Sequence, residues 1–152
     1  MHRSWTGGAW RRRWPVVGGL LCASLNKRGK MMGQSLLIHC RRVYDPLLMD
    51  GAYRVLVDRV WPRGIRKQTL MLDEWCRELA PSPDLRTWFG HDPKRWRAFC
   101  ERYYKELEAS HNDIRQLLDH CGSRPLLLLY GARDTEHNNA KALQAFIEAS
   151  FF

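Results

Sequence analysis

The sequence predicts a small three-layer α/β domain whose mostly parallel sheet, of about three strands, is flanked by helices. Three observations carry that prediction. Tyr53-Arg54-Val55-Leu56-Val57-Asp58 is rich in β-branched and aromatic residues, Pro125 to Tyr130 is a continuous apolar run, and helical patterns fill the chain between them. Strands separated by helices need a crossover, and a crossover makes parallel neighbours in a covered sheet.

Taken in order, the chain begins with a segment unlike the rest. Residues 1–30 hold seven basic residues (Arg3, Arg11, Arg12, Arg13, Lys27, Arg28 and Lys30) and no acid. The apolar run from Trp14 to Cys22 is short and broken by Gly18-Gly19, so it cannot span a bilayer as a helix. Cys22-Ala23-Ser24 makes a poor cleavage site. Residues 1–34 are therefore expected to be a basic, disordered N-terminal extension, with translation starting at Met31 or Met32. A targeting or membrane-surface arm and a nucleic-acid arm are the alternatives. Residues 35–152 are expected to form one α/β domain.

Leu36 to Tyr44 reads as a first strand, ended by Asp45-Pro46, with Asp50-Gly51 as a turn before the second strand. Its direction is open, because so short a connection also permits a hairpin. Pro62 and Gly64 force a loop after the second strand, and Asp73 to Glu78 is expected to make a short helical turn closed by Pro81. Ser82-Pro83-Asp84 caps a second short helix that Gly90 ends, and Asp92-Pro93 repeats the device. Trp96, Phe99, Cys100, Tyr103 and Leu107 form one apolar helical stripe; Ile114, Leu117, Leu118 and Cys121 form another, stopped by Gly122. After the third strand, a tight Gly131-Ala132-Arg133-Asp134-Thr135 loop leads to a last helix with Leu143, Phe146 and Ile147 inward.

Composition narrows the function. Hydrophobic residues at 45% and charged residues at 27% exclude a disordered chain. The net charge of +9 suggests nucleic acid, but the leader supplies most of it: the body holds 18 basic and 16 acidic residues. That balance gives no bulk electrostatic case for duplex binding, which normally shows a strong cationic face. Cys22, Cys40, Cys76, Cys100 and Cys121 are widely spaced, without a C-x-x-C or C-x-x-H pair. The spacing argues against a zinc site or disulfide scaffold and for a reducing cytoplasmic setting. No pattern calls for a metal or a cofactor.

Ligands in open parallel sheets bind beyond the carboxyl ends of the strands. Asp58, Arg59, Trp61, Arg63 and Gly64 follow the second strand; Tyr130, Arg133, Asp134, His137 and Asn138 follow or end the third. Arg59, Arg63, Arg133 and a helix N-terminus would favour an anion. A guanidinium about 4 Å from a phosphate gains about 4 kcal/mol of gross Coulomb energy before desolvation is subtracted. Trp61 or Trp75 would offer a stacking face, and Asp58 or His137 would handle protons. Each has a plainer reading: Asp58 in an ion pair with Arg59 or Arg54, Trp61 and Tyr130 in the core, Asp134 as a cap, His137 as surface. No recognised catalytic signature is present.

Val43-Tyr44-Asp45-Pro46, Asp50-Gly51, Tyr53-Arg54-Val55-Leu56-Val57-Asp58-Arg59-Val60-Trp61-Pro62-Arg63-Gly64 and Asp73-Glu74-Trp75 resemble the YeaO-like proteins of the bacterial domain-of-unknown-function family 488, DUF488. So do Ala80-Pro81-Ser82, Leu85-Arg86, Trp88-Phe89 and Leu128-Leu129-Tyr130, with Ala132-Arg133-Asp134, Asn138 and Ala140 beyond. The resemblance implies a small cytoplasmic bacterial protein with an α/β fold, and carries over no catalytic residue. Three readings follow. The first is a protein that binds a small anionic, phosphorylated or nucleotide-like ligand in the crevice, with or without catalysis. The second is a nucleic-acid-binding or transcription-regulatory module using the same arginines with Arg41 and Arg42. The third is a protein-interaction module, of whose oligomeric state the residues say nothing.

Overall fold

The computed structural model of the protein describes residues 36–152. The basic segment that the sequence sets apart, residues 1–34, lies outside the described residues. From there the elements run β1 (Ile38–Arg42), β2 (Tyr53–Leu56), α1 (Lys67–Leu70), β3 (Glu74–Trp75), α2 (Pro83–Phe89), α3 (Trp96–Ala109), α4 (His111–Cys121), β4 (Leu126–Tyr130) and α5 (Asn139–Phe151). Short 3-10 turns cover Arg77–Leu79 and Pro93–Arg95.

The sheet order is β1-β4-β2-β3, with every neighbouring pair parallel. Ile38 lies opposite Leu126 and Arg42 opposite Tyr130, while Tyr53 to Leu56 runs opposite Leu126 to Leu129. Because β4 inserts between β1 and β2, the connection after β1 is a crossover and no hairpin forms. β4 is paired on both edges and covered on both faces, which is why its run is apolar without alternation. Leu126, Leu128 and Tyr130 enter one core with Phe99, Tyr103, Leu107, Ile114, Leu117 and Phe146 from the helices. Leu127 and Leu129 enter the other, with Leu56, Leu70 and the partly buried Trp61, Ile65 and Trp75. The split follows the two-residue period of a strand.

The sheet has four strands where about three are expected, and the additional one corrects a sequence expectation. Residues 73–76 do not form a helical turn; only the end of the expected stretch is helical, as part of the 3-10 turn Arg77–Leu79. Asp73 N donates to Arg54 O and Cys76 N to Leu56 O, both at 2.9 Å, so Glu74–Trp75 extend the sheet as β3 before the 3-10 turn begins. The open edge of β2 carries backbone groups that need partners, and this segment supplies them. A strand of two residues shows no period by which a sequence could reveal it.

Local capping places the helical layer. Ser82 Oγ accepts Leu85 N at 3.2 Å, Pro83 occupies the first turn of α2, and Gly90, at φ 53°, ends it. The Ser82 hydroxyl also donates to Glu106 of α3 at 2.6 Å, tying the start of α2 to the last turn of α3. Among the described residues no helix is long and apolar enough to cross a membrane. For the site, the decisive feature is that β2 and β4 are adjacent and parallel. The chain leaves both at the same edge of the sheet, so the bends after them are neighbours.

Candidate functional site

Asp58 follows Val57, whose N–H closes the β2–β4 ladder on Leu129 O at 3.1 Å. Its Oδ2 accepts Gly131 N at 2.8 Å, just past β4, and its Oδ1 accepts Asn139 Nδ2 at 3.1 Å, in the first turn of α5. Asn139 Nδ2 also donates to Val57 O at 2.9 Å. One carboxylate thereby joins the ends of both strands to the start of the helix. A Cβ on Gly131 would stand 3.1 Å from Asp58 Oδ2, so a side chain there would press on the carboxylate. Burial pushes the Asp58 carboxyl above the usual carboxylate range; the hydrogen bonds from Gly131 and Asn139 and the charges of Arg86 and His91 oppose that rise.

A cavity of about 500 Å³ lies over this carboxylate. Arg59, Val60, Pro81, Phe89, Phe99, Gly131, His137 and Asn138 help to wall it, and Arg86, Thr87 and His91 line it from the α2 side. The Arg59 guanidinium donates to Pro81 O and Ala80 O, both at 3.3 Å, and so holds the approach to α2 against the end of β2. Arg86 is exposed, and while its backbone is bonded within α2 to Ser82 O and Gly90 N, its guanidinium has no hydrogen-bond or ion-pair partner among the described residues. His91 sits at φ 56°, a left-handed conformation that costs a non-glycine residue roughly 1–2 kcal/mol. Together with Gly90 it turns the chain back so that His91 borders the cavity.

His137 is held by Asp134. Its Nδ1 lies 2.9 Å from Asp134 Oδ2, and Asp134 Oδ1 accepts Glu136 N and His137 N, each at 2.9 Å. These donors hold the Asp134 carboxyl down to about 2. The carboxylate assigns the proton of a neutral His137 to Nδ1 and leaves Nε2 as an acceptor. Asn138 caps α5: its side chain accepts Lys141 N at 3.0 Å and donates to Asp134 O at 3.0 Å. The cavity thus combines one fixed carboxylate, two guanidiniums, two imidazoles and a helix N-terminus, a balance that favours an anion with hydrogen-bonding groups.

A family model described as the inactive DUF488-N3 subclade matches residues 37–151. The chain belongs to this DUF488 family. It is 42% identical over 112 residues to "Uncharacterized protein YeaO" of Escherichia coli (strain K12), which covers 74% of this chain and 97% of that one. It is 45% identical over 73 residues to "Uncharacterized protein Rv3073c" of Mycobacterium tuberculosis (strain H37Rv), 48% of this chain and 62% of the relative. No solved structure matches it.

Of the residues the sequence singles out in this DUF488 chain, Asp58, Arg59, His137 and Asn138 meet at the cavity, and Gly131 joins them. Asp134 acts one step back, through His137. The others lie elsewhere. Trp61 packs against the second core, its Nε1 donating to Ile65 O at 2.6 Å and its ring meeting the Trp75 edge at 5.2 Å. Trp75 Nε1 donates to Asp58 O at 2.7 Å, and the Arg77 guanidinium covers its ring at 3.7 Å. Arg63 is exposed in a bend completed by Gly64 at φ 74°, where its carbonyl accepts the Tyr44 hydroxyl at 2.9 Å. Arg133 is exposed, and Tyr130 is buried beside a shallower hollow with Cys40, Arg42 and Lys141. The bend after β2 folds toward the second core, carrying Trp61 and Arg63 away from the cavity.

Sequence reasoning missed Arg86, Thr87, His91 and Asn139. The doubled Asn138-Asn139 at a helix start is a readable signal, since one amide suffices as the cap. Arg86, on the solvent side of a short helix, has none. Among the described residues no group of three His, Cys, Asp or Glu side chains is placed to hold a metal ion in this DUF488 domain.

Proposed function

We propose that this protein binds a small anionic ligand, phosphorylated or nucleotide-like, in the cavity over Asp58, and retains it without chemical turnover. The observation that carries the reading is Arg86: a guanidinium with no hydrogen-bond or ion-pair partner among the described residues, lining a cavity of about 500 Å³ that Arg59, His91 and His137 also border. That volume is in the range of small-ligand sites. An unpaired guanidinium meeting a phosphate gains about 4 kcal/mol at 4 Å before desolvation. The N-terminus of α5 at the same wall adds to the attraction. The description of the subclade as inactive supports binding in place of catalysis. The scattered cysteines fit action in the cytoplasm.

A thermal-shift panel of nucleotides and sugar phosphates, followed by calorimetric titration of any hit, tests the proposal. Saturable stabilisation should be lost in Arg86→Ala and kept in Arg63→Ala. Stabilisation that survives Arg86→Ala would remove the site assignment. Release of inorganic phosphate or other change in the ligand, followed by phosphorus NMR, would overturn the reading of binding without turnover.

A further inference from the structure

We propose that the inner end of the ligand is a vicinal diol, such as the ribose of a nucleotide or sugar phosphate, held by Asp58, with its phosphate outward at Arg86 and His91. The proposal rests on the anion-binding reading above. An ionised carboxylate offers about four lone-pair positions. In Asp58 one on each oxygen is occupied, by Gly131 N on Oδ2 and Asn139 Nδ2 on Oδ1. Each oxygen keeps acceptor capacity, and Asp58 lines the cavity. Donors on both oxygens also stop the carboxylate from rotating, so the remaining acceptors are fixed before any ligand arrives.

The surroundings select what those acceptors receive. A second anion is repelled by Asp58. A cationic group is disfavoured, because Arg59, Arg86 and His91 share the cavity. A single hydroxyl fills only one of these two free acceptor positions on a partly desolvated carboxylate. Two neutral donors on adjacent atoms satisfy both oxygens. A diol and the paired N–H edge of a base both fit that description, and the position of the cations decides between them. Arg86 and His91 line the same cavity as Asp58, so the anionic end lies near the donor pair. In a ribose phosphate only the sugar carbons separate the two, whereas a base edge stands on the far side of its ring.

Calorimetric titration of the full chain with inorganic phosphate, ribose 5-phosphate and 2-deoxyribose 5-phosphate tests this, repeated with AMP and 2′-deoxy-AMP. Loss of one charge-assisted hydrogen bond should weaken the deoxy compounds by roughly 10-fold or more. Asp58→Asn should erase that preference. Equal affinity for the ribose and deoxyribose compounds, with binding still dependent on Arg86, overturns the diol and leaves the anion site standing. Binding of none of the five overturns both. The comparison of ligands on the unaltered protein needs no variant, so an Asp58→Asn chain that fails to fold does not remove the test.

Discussion

Gly131→Ala should destabilise the protein by about 1–2 kcal/mol, and that penalty should disappear when Asp58 is also replaced by alanine. The structure supplies the mechanism. An alanine Cβ would lie 3.1 Å from Asp58 Oδ2 and 3.9 Å from Pro62 Cβ, so the carboxylate must retreat by a few tenths of an ångström. It cannot do so freely, because it is held at 2.8 Å by Gly131 N and at 3.1 Å by Asn139 Nδ2. Each bond to a charged acceptor contributes about 1.5–3 kcal/mol, and stretching both loses part of each. Gly131 is not among the residues with positive φ, so the backbone accepts alanine without strain. In an Asp58→Ala background the same substitution therefore meets no carboxylate and should be neutral, or stabilising by about 0.4–1 kcal/mol through the stiffer unfolded chain. Urea unfolding monitored by tryptophan fluorescence reads all four proteins of the cycle. With a slope of about 2 kcal/mol per molar urea, the single variant should lose roughly 0.5–1 M in midpoint. An equal penalty in both backgrounds, or no coupling between the two positions, would refute the contact as the cause.

Other consequences can be checked with the same assay. Arg54 is 5% exposed, and its guanidinium donates to Leu48 O and meets Met49 Sδ at 4.0 Å, so Arg54→Ala should cost about 2–4 kcal/mol and open residues 47–50 to limited proteolysis. Unchanged stability and cleavage would show that the arginine does not pin this loop. Tyr103 is fully buried with its hydroxyl donating to Leu79 O, and Tyr103→Phe should cost about 1–2 kcal/mol by stranding that carbonyl. Acid titration should separate two aspartates of opposite sign. Asp134 is lowered from the ordinary 3.8 to about 2, so its contribution is complete above 3.8 and is lost as pH falls toward 2; Asp134→Asn should flatten that stretch of the stability curve. Asp58 is raised, chiefly by burial, so stability should rise as pH falls from its elevated value toward 3.8, and Asp58→Asn should abolish that rise. A slope of the other sign at either residue would contradict its environment.

Much of this architecture was legible along the chain, because its signals are local. The apolar stripe of α3, the Ser82-Pro83 start and Gly90 stop of α2, and the unbroken run of β4 each depend on neighbours a few residues away. Asp58 was legible too, as a carboxylate at the end of a strand, since parallel sheets gather ligands at that edge. β3 was not. Its two residues become a strand only because β2 presents an open edge, and Asp73, Glu74 and Trp75 carry no period of their own.

The same distinction divides the arginines. Read in one dimension, Arg59, Arg63 and Arg133 are equivalent: each follows a strand by a few residues. Their fates separate in three dimensions, because the bend through Pro62 and Gly64 turns toward the second core while Arg86 reaches the cavity from a helix that no strand-end rule includes. By itself, then, the sequence determined the family, the α/β class, the principal strands and helices and the edge of the sheet where a site belongs, since periodicity, capping and turn chemistry act between near neighbours. Tertiary structure decided which side chains meet there. Asp58, Arg86, His91, Gly131 and Asn139 are brought together by the parallel pairing of β2 with β4 and the packing of α2 and α5 around their ends, and contacts across that much chain leave no mark in the spacing of residues.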